Sequence, residues 1–245
     1  MRLFTSLAAV LLSFAPFTAT AQQAAYNHAY VQTKDFEGPF DSPQVKAGLT
    51  SGKKYIVVAY FHGCGGLYYN GQVSHKYKPA FDRLAELGYM VFAPDGMAET
   101  GRIGACSSGM RGKDEGYTDD LQRGRSRDID YALSHLPSEP FTNLSRFYVW
   151  GQSEGARAVI QHGTYPAFVK SVVATGWACN GGQEIYVNPP TPFLLIHAKG
   201  DPEHRKNDGC LARPNGTFYE PDYNQHWVWG DKESRRRIER ELAIK

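Results

Sequence analysis

Residues 149–159 read VWGQSEGARAV and follow directly on Arg146-Phe147-Tyr148. An apolar run of strand length ends at Gly151, a serine stands at position 153, and the residues after Gly155 have helical character. A serine on so tight a strand-to-helix turn needs small neighbours, because strand and helix pass close to its backbone, and glycine is the residue that fits. Gly151-Gln152-Ser153-Glu154-Gly155 is therefore a G-x-S-x-G turn. Such a turn lifts the serine hydroxyl to the top of a sheet and directs the N–H groups of the first helical turn toward it.

Outward from this turn, apolar runs of strand length alternate with segments of helical period. Strands are expected at Tyr55 to Phe61, Met90 to Ala93, Arg146 to Trp150, Ser171 to Ala174, Phe193 to His197 and Gly216 to Glu220. Helices are expected at about Lys76 to Leu87, Asp119 to Leu136 and Glu154 to His162, with a charged helix closing the chain. Thr118 is placed to cap the second helix and Pro137 to end it. The alternation predicts an α/β fold, a mostly parallel central sheet with helices on both faces. Residues 22–54 are poorly patterned and suggest only a short hairpin.

The 245 residues are 42% hydrophobic and 13% aromatic, enough for one full-sized core, and no linker or repeat divides residues 22–245. A formal net charge of +2, with no basic stripe, argues against a nucleic-acid partner. Residues 1–21 stand apart: Arg2 is followed by the mostly apolar Leu3 to Phe17 and by Ala19-Thr20-Ala21, the pattern of a signal peptide cleaved before Gln22. Ser6, Ser13 and Pro16 interrupt the run, which is short for a membrane span, so a secreted or periplasmic chain with no stable span is expected. Export makes disulfides the expected state of Cys64, Cys106, Cys179 and Cys210, whose spacing fits no CxxC metal pattern.

Tyr60-Phe61-His62-Gly63-Cys64-Gly65-Gly66, Tyr89 to Gly96, the Ser153 turn and "LLIHAKGDP" together resemble the α/β-hydrolase superfamily, and within it dienelactone hydrolase-like proteins. The histidine-glycine-cysteine loop is also similar to that of secreted feruloyl esterases and polyhydroxybutyrate depolymerases. Dienelactone hydrolases proper carry a cysteine nucleophile, whereas this chain has Ser153 there, so the likeness implies the fold and not the dienelactone substrate.

A serine hydroxyl needs a base and a group that orients the base. The superfamily's order of nucleophile, acid and histidine restricts the base to His162, His197, His204 and His226. His162 falls in the helix after the turn and His197 in an apolar strand, while His226 sits in a loop after the last strand, where the resemblance puts the catalytic histidine. The same resemblance makes Asp201 the acid, with Glu203, Asp208 and Asp222 as competitors. It also implies an oxyanion hole from the backbone N–H groups of Cys64 and Glu154; His62 is read as a purely structural ring holding that loop. The expected activity is serine hydrolysis of a small-molecule or polymer-linked carboxylic ester. The same residues would serve a serine peptidase, and a chain that kept the fold without the chemistry would be a binding protein.

If the sheet has the superfamily's strand order, the strands before Cys64 and Cys106 are neighbours, as are those before Cys179 and Cys210, which implies those two pairings. No cofactor is expected, since no phosphate cradle or dinucleotide pattern stands in a usable context. No metal is expected either: His197, Asp201 and His204 fit no standard zinc spacing. Tyr68, Tyr69 and Trp177 are expected on loops near the mouth. In the closing helix, Ile238 and Leu242 are expected to pack on the sheet while Arg235 to Arg237 face water.

Overall fold

The structure, a computed structural model, describes residues 17–98, 115–177, 187–202 and 214–243, of which 17–20 and 115–122 are described by backbone alone. Cys106, Cys179, Cys210, His204, Glu203 and Asp208 lie outside the described residues.

Six strands carry the parallel part of the sheet: β3 (Tyr55–Phe61), β6 (Tyr89–Ala93), β7 (Thr142–Gln152), β8 (Val169–Thr175), β9 (Phe193–Ile196) and β10 (Gly216–Tyr219). Two short antiparallel strands, β1 (Tyr30–Gln32) and β2 (Glu37–Pro39), extend it beyond β6, giving the order β10-β9-β8-β7-β3-β6-β1-β2. This β1–β2 pair is the hairpin suspected in the N-terminal region. Because β3 adjoins β6 and β8 adjoins β9, the strand adjacency on which the cysteine pairings were premised is present.

Side chains of the central strands are buried on both sides, as an all-parallel arrangement requires. Val57, Ala59 and Phe61 belong to one core cluster, with Ile129, Val159 and Ile160; Val58 and Tyr60 belong to the other, with Phe81, Leu84 and Ile238. The period-two alternation along β3 thus assigns the helices to faces. On the first face lie α1 (Phe17–Asn27), α2 (Pro43–Leu49), α4 (Glu115–His135) and α5 (Glu154–Gln161); on the second lie α3 (Lys78–Glu86) and α6 (Lys232–Glu241).

Helix α1 spans the expected cleavage point, and Ala25 and Tyr26 beyond it are buried. Helix α4 starts at Glu115, so Thr118 lies inside it and is not its cap; Pro137 does end it, within a 3-10 turn at Leu136–Ser138. Ser42 caps α2 and Asp231 caps α6, each side chain accepting from a backbone N–H three residues on. Ile238 and Leu242 of the α6 region are buried in the second cluster. Tyr68 and Tyr69 are not on a loop: β4 (Tyr68–Tyr69) pairs with β5 (Gln72–Val73) as a separate small hairpin. Among the described residues, no helix is long and apolar enough to cross a membrane.

Candidate active site

Ser153 stands alone between the end of β7 and the start of α5, with φ 55° and ψ −120°. A non-glycine residue held there stores about 1–3 kcal/mol, which the surroundings must impose. They do so through two hydrogen bonds: Ser153 N–H donates to the Thr175 carbonyl (2.8 Å), and Arg157 N–H donates to the Ser153 carbonyl (3.0 Å). The flanking glycines are required by close backbone approach. A Cβ on Gly151 would stand 2.2 Å from the Gly155 carbonyl oxygen, and one on Gly155 would stand 2.1 Å from the Phe61 carbonyl oxygen.

Asp201 follows β9 and is wholly buried, while His226 comes from the loop after β10. The His226 imidazole Nδ1 lies 2.7 Å from Asp201 Oδ2. An ionised carboxylate only accepts, so Nδ1 carries the proton and Nε2 carries the ring's lone pair. The two loops are joined by their backbones: Lys199 N–H donates to the Pro221 carbonyl (3.0 Å) and Gly200 N–H to the Tyr223 carbonyl (2.9 Å). Ser153 and His226 line one cavity of about 650 Å³ together with Gln152, Gly63 and Cys64. The structure therefore brings Ser153, Asp201 and His226 to the carboxyl ends of the parallel strands.

Of the competing histidines, His162 and His197 do not line this cavity. His197 is buried at the end of β9 with Nδ1 3.8 Å from Asp201 Oδ2. His162 lies at the end of α5 with Nδ1 3.2 Å from Ser126 Oγ, and burial holds its imidazole below the ordinary range despite nearby Asp130. Asp222, one of the competing acids, is not in the cavity lining. No group of three metal-ligating side chains occurs among the described residues.

The loop after β3 lines the same cavity through residues 63–66. Gly63 N–H donates to Tyr77 Oη at 3.2 Å, which commits that donor to the second core. The Gly63 carbonyl lies 2.7 Å from His62 Nδ1, and Gly96 N–H reaches His62 Nε2 at 3.1 Å. Since a backbone N–H can only donate, Nε2 accepts and Nδ1 carries the proton given to Gly63; His62 is a structural ring, as expected. Glu154 opens α5, where backbone N–H groups have no acceptor within the helix. Its side chain turns inward and accepts from Arg125 Nε at 2.8 Å, both groups being buried. Burial works against the Arg125 charge, but Glu154 and Asp128 outweigh it and hold the guanidinium protonated.

Cys64 is not a free thiol, and the cysteines expected to pair lie outside the described residues. Of the aromatics expected at the mouth, only Tyr69 lines the cavity, two-thirds exposed. Tyr68 Oη instead donates to the His28 carbonyl, and Trp177 packs on the first core beneath Arg157. The aromatic wall is completed by Tyr77 and Trp227, which meet edge to face at 5.7 Å. Neither stood out in the sequence, although Trp227 directly follows His226. The described rim also carries His75 and Lys76 and no carboxylate.

No protein-family model and no curated protein matches the chain. Solved structures do. A candidate dienelactone hydrolase from Klebsiella pneumoniae is similar over 89% of this chain and 92% of its own, at 14% identity and a TM-score of 0.54. A protein named m3DLH is similar over 74% of this chain and 75% of its own, at 19% identity and a TM-score of 0.52. At such identities the likeness is one of architecture. The strand order, the strained serine turn and these neighbours agree: the chain has the α/β-hydrolase fold.

Proposed function

We propose that this protein is an exported serine hydrolase that cleaves carboxylic esters through an acyl-enzyme. The observation that carries the reading is a strained serine at the rim of a cavity that also receives a histidine whose far nitrogen is held by a buried carboxylate. Ser153 Oγ attacks the ester carbonyl while His226 Nε2 takes its proton; Asp201 keeps the ring in the tautomer this needs and stabilises the imidazolium. The carbonyl oxygen gains negative charge and is received by the N–H groups of Cys64 and Glu154. His226 then returns the proton to the departing alcohol, and water, deprotonated by the same ring, releases the acid and restores Ser153. The mostly apolar lining with Tyr69, Tyr77 and Trp227 suits an ester with a flat or apolar portion.

Residues 1–21 are read as the export signal, and two disulfides, Cys64–Cys106 and Cys179–Cys210, as the consequence of the compartment. Turnover of short-chain p-nitrophenyl esters by the mature chain tests the function. Ser153→Ala is expected to abolish it while leaving cooperative thermal unfolding in place. Full turnover by that variant would refute the proposal.

A further inference from the structure

The loop that ends at Cys64 and the helix that begins at Glu154 come from distant parts of the chain, yet a single buried side chain touches both. Arg125, on α4, is 2% exposed. Its Nε donates to Glu154 Oε1 at 2.8 Å, and its Nη2 lies 3.4 Å from the carbonyl oxygens of both His62 and Gly63. The guanidinium also lies against the His62 ring, with Nη1 3.2 Å from Nε2 and Nη2 3.2 Å from Nδ1. Because Nδ1 is protonated and donates to Gly63, the second of these is a packing contact and not a hydrogen bond. The space Arg125 fills is closed by Gly96, where a Cβ would stand 2.1 Å from Nη1.

Peptide planarity gives this arrangement its consequence. The Gly63 carbonyl and the Cys64 N–H belong to one trans peptide unit and point in opposite directions. With the carbonyl turned inward to His62 and Arg125, the Cys64 N–H is turned away from them. The cation also polarises that peptide, which strengthens the N–H as a donor. On the other side, the ion pair with the Glu154 side chain fixes the residue whose own N–H is the second donor. A guanidinium fork spans both partners at once, and an ammonium cannot reproduce that reach.

We infer that Arg125 is the positioning residue of the oxyanion hole, locking the Gly63–Cys64 peptide and the first residue of α5 into a common register. The inference rests on Ser153 being the nucleophile. It adds that the geometry of the two donors is set from behind, by a residue that never meets substrate.

Arg125→Lys tests this, with kcat and KM measured separately and with affinity measured for a trifluoromethyl ketone, which forms a tetrahedral adduct with an active serine. The expected result is a kcat lower by about 10- to 100-fold, somewhat less than removal of one donor outright. KM should stay within about threefold, and adduct affinity should fall in step with kcat. Removing one partner of a buried pair can unfold a chain, so the charge-neutral double variant Arg125→Met with Glu154→Met carries the same expectation. Wild-type kcat in either folded variant, or a loss confined to KM, overturns the inference. Fluorophosphonate labelling of the unmodified protein separates the two readings. Without an adduct at Ser153 the nucleophile reading falls and the inference with it; with an adduct and unchanged variant kinetics, the inference alone falls.

Discussion

Gly155→Ala places one methyl group at the tightest point of the site. Its Cβ would stand 2.1 Å from the Phe61 carbonyl oxygen and 2.7 Å from that of His62. Van der Waals contact needs over 3 Å, so α5 and the end of β3 must separate by roughly 1 Å. The neighbours are backbone atoms and cannot rotate away. Forced overpacking of this kind costs about 1–3 kcal/mol, which for a chain of this size lowers Tm by about 2–12 °C. The functional cost is the more specific one. The displaced segment begins with Ser153 and Glu154 and faces the loop of Gly63 and Cys64, so the proposed nucleophile and both proposed donors lose register together. A misplacement of about 1 Å is worth on the order of 100-fold in rate. Initial-rate kinetics on a p-nitrophenyl ester, beside differential scanning fluorimetry, measure both effects. A folded Gly155→Ala protein with wild-type kcat would show that the elbow geometry does not govern the chemistry, and the reasoning from the strained serine would be wrong.

Asp201→Asn keeps the shape of the buried acid but can offer its amide to His226 Nδ1, favouring the wrong tautomer; kcat should fall by about 10,000-fold with little change in KM, and steady-state kinetics check it. For the cysteines, peptide mapping of the unreduced mature protein should recover Cys64 joined to Cys106 and Cys179 joined to Cys210, and crossed pairs or free thiols would remove that proposal.

The inner strands were legible because their residues face helices on both sides and so read as unbroken apolar runs, as in Tyr55–Phe61 and Tyr89–Ala93. The edge was not. β1 and β2 span three residues each and include Gln32 and Glu37, too short and too polar for any period to emerge. β7 begins at Thr142, not Arg146, because Thr142 pairs with Tyr55 before a register shift, a long-range pairing that the polar Asn143 and Ser145 do not signal. For the site, the serine turn was legible in its flanking glycines, whereas Asp201 and His226 were reached by resemblance alone, because their contact is made by the fold between residues 25 positions apart. Arg125 was missed for an instructive reason. Arg123, Arg125 and Arg127 look like a solvated run, yet Arg125 shares a helical stripe with Ile129, Ala132 and Leu136, all buried. A charge on an apolar stripe was the available signal, and its partner Glu154 is 29 residues away.

The most direct test of the central claim, that Ser153 is an activated nucleophile, is the intact mass of the mature protein after reaction with a fluorophosphonate, with Ser153→Ala treated in parallel. The account predicts one adduct on the unmodified protein and none on the variant. A folded protein that takes up no adduct, or a variant labelled as fully as its parent, would contradict it.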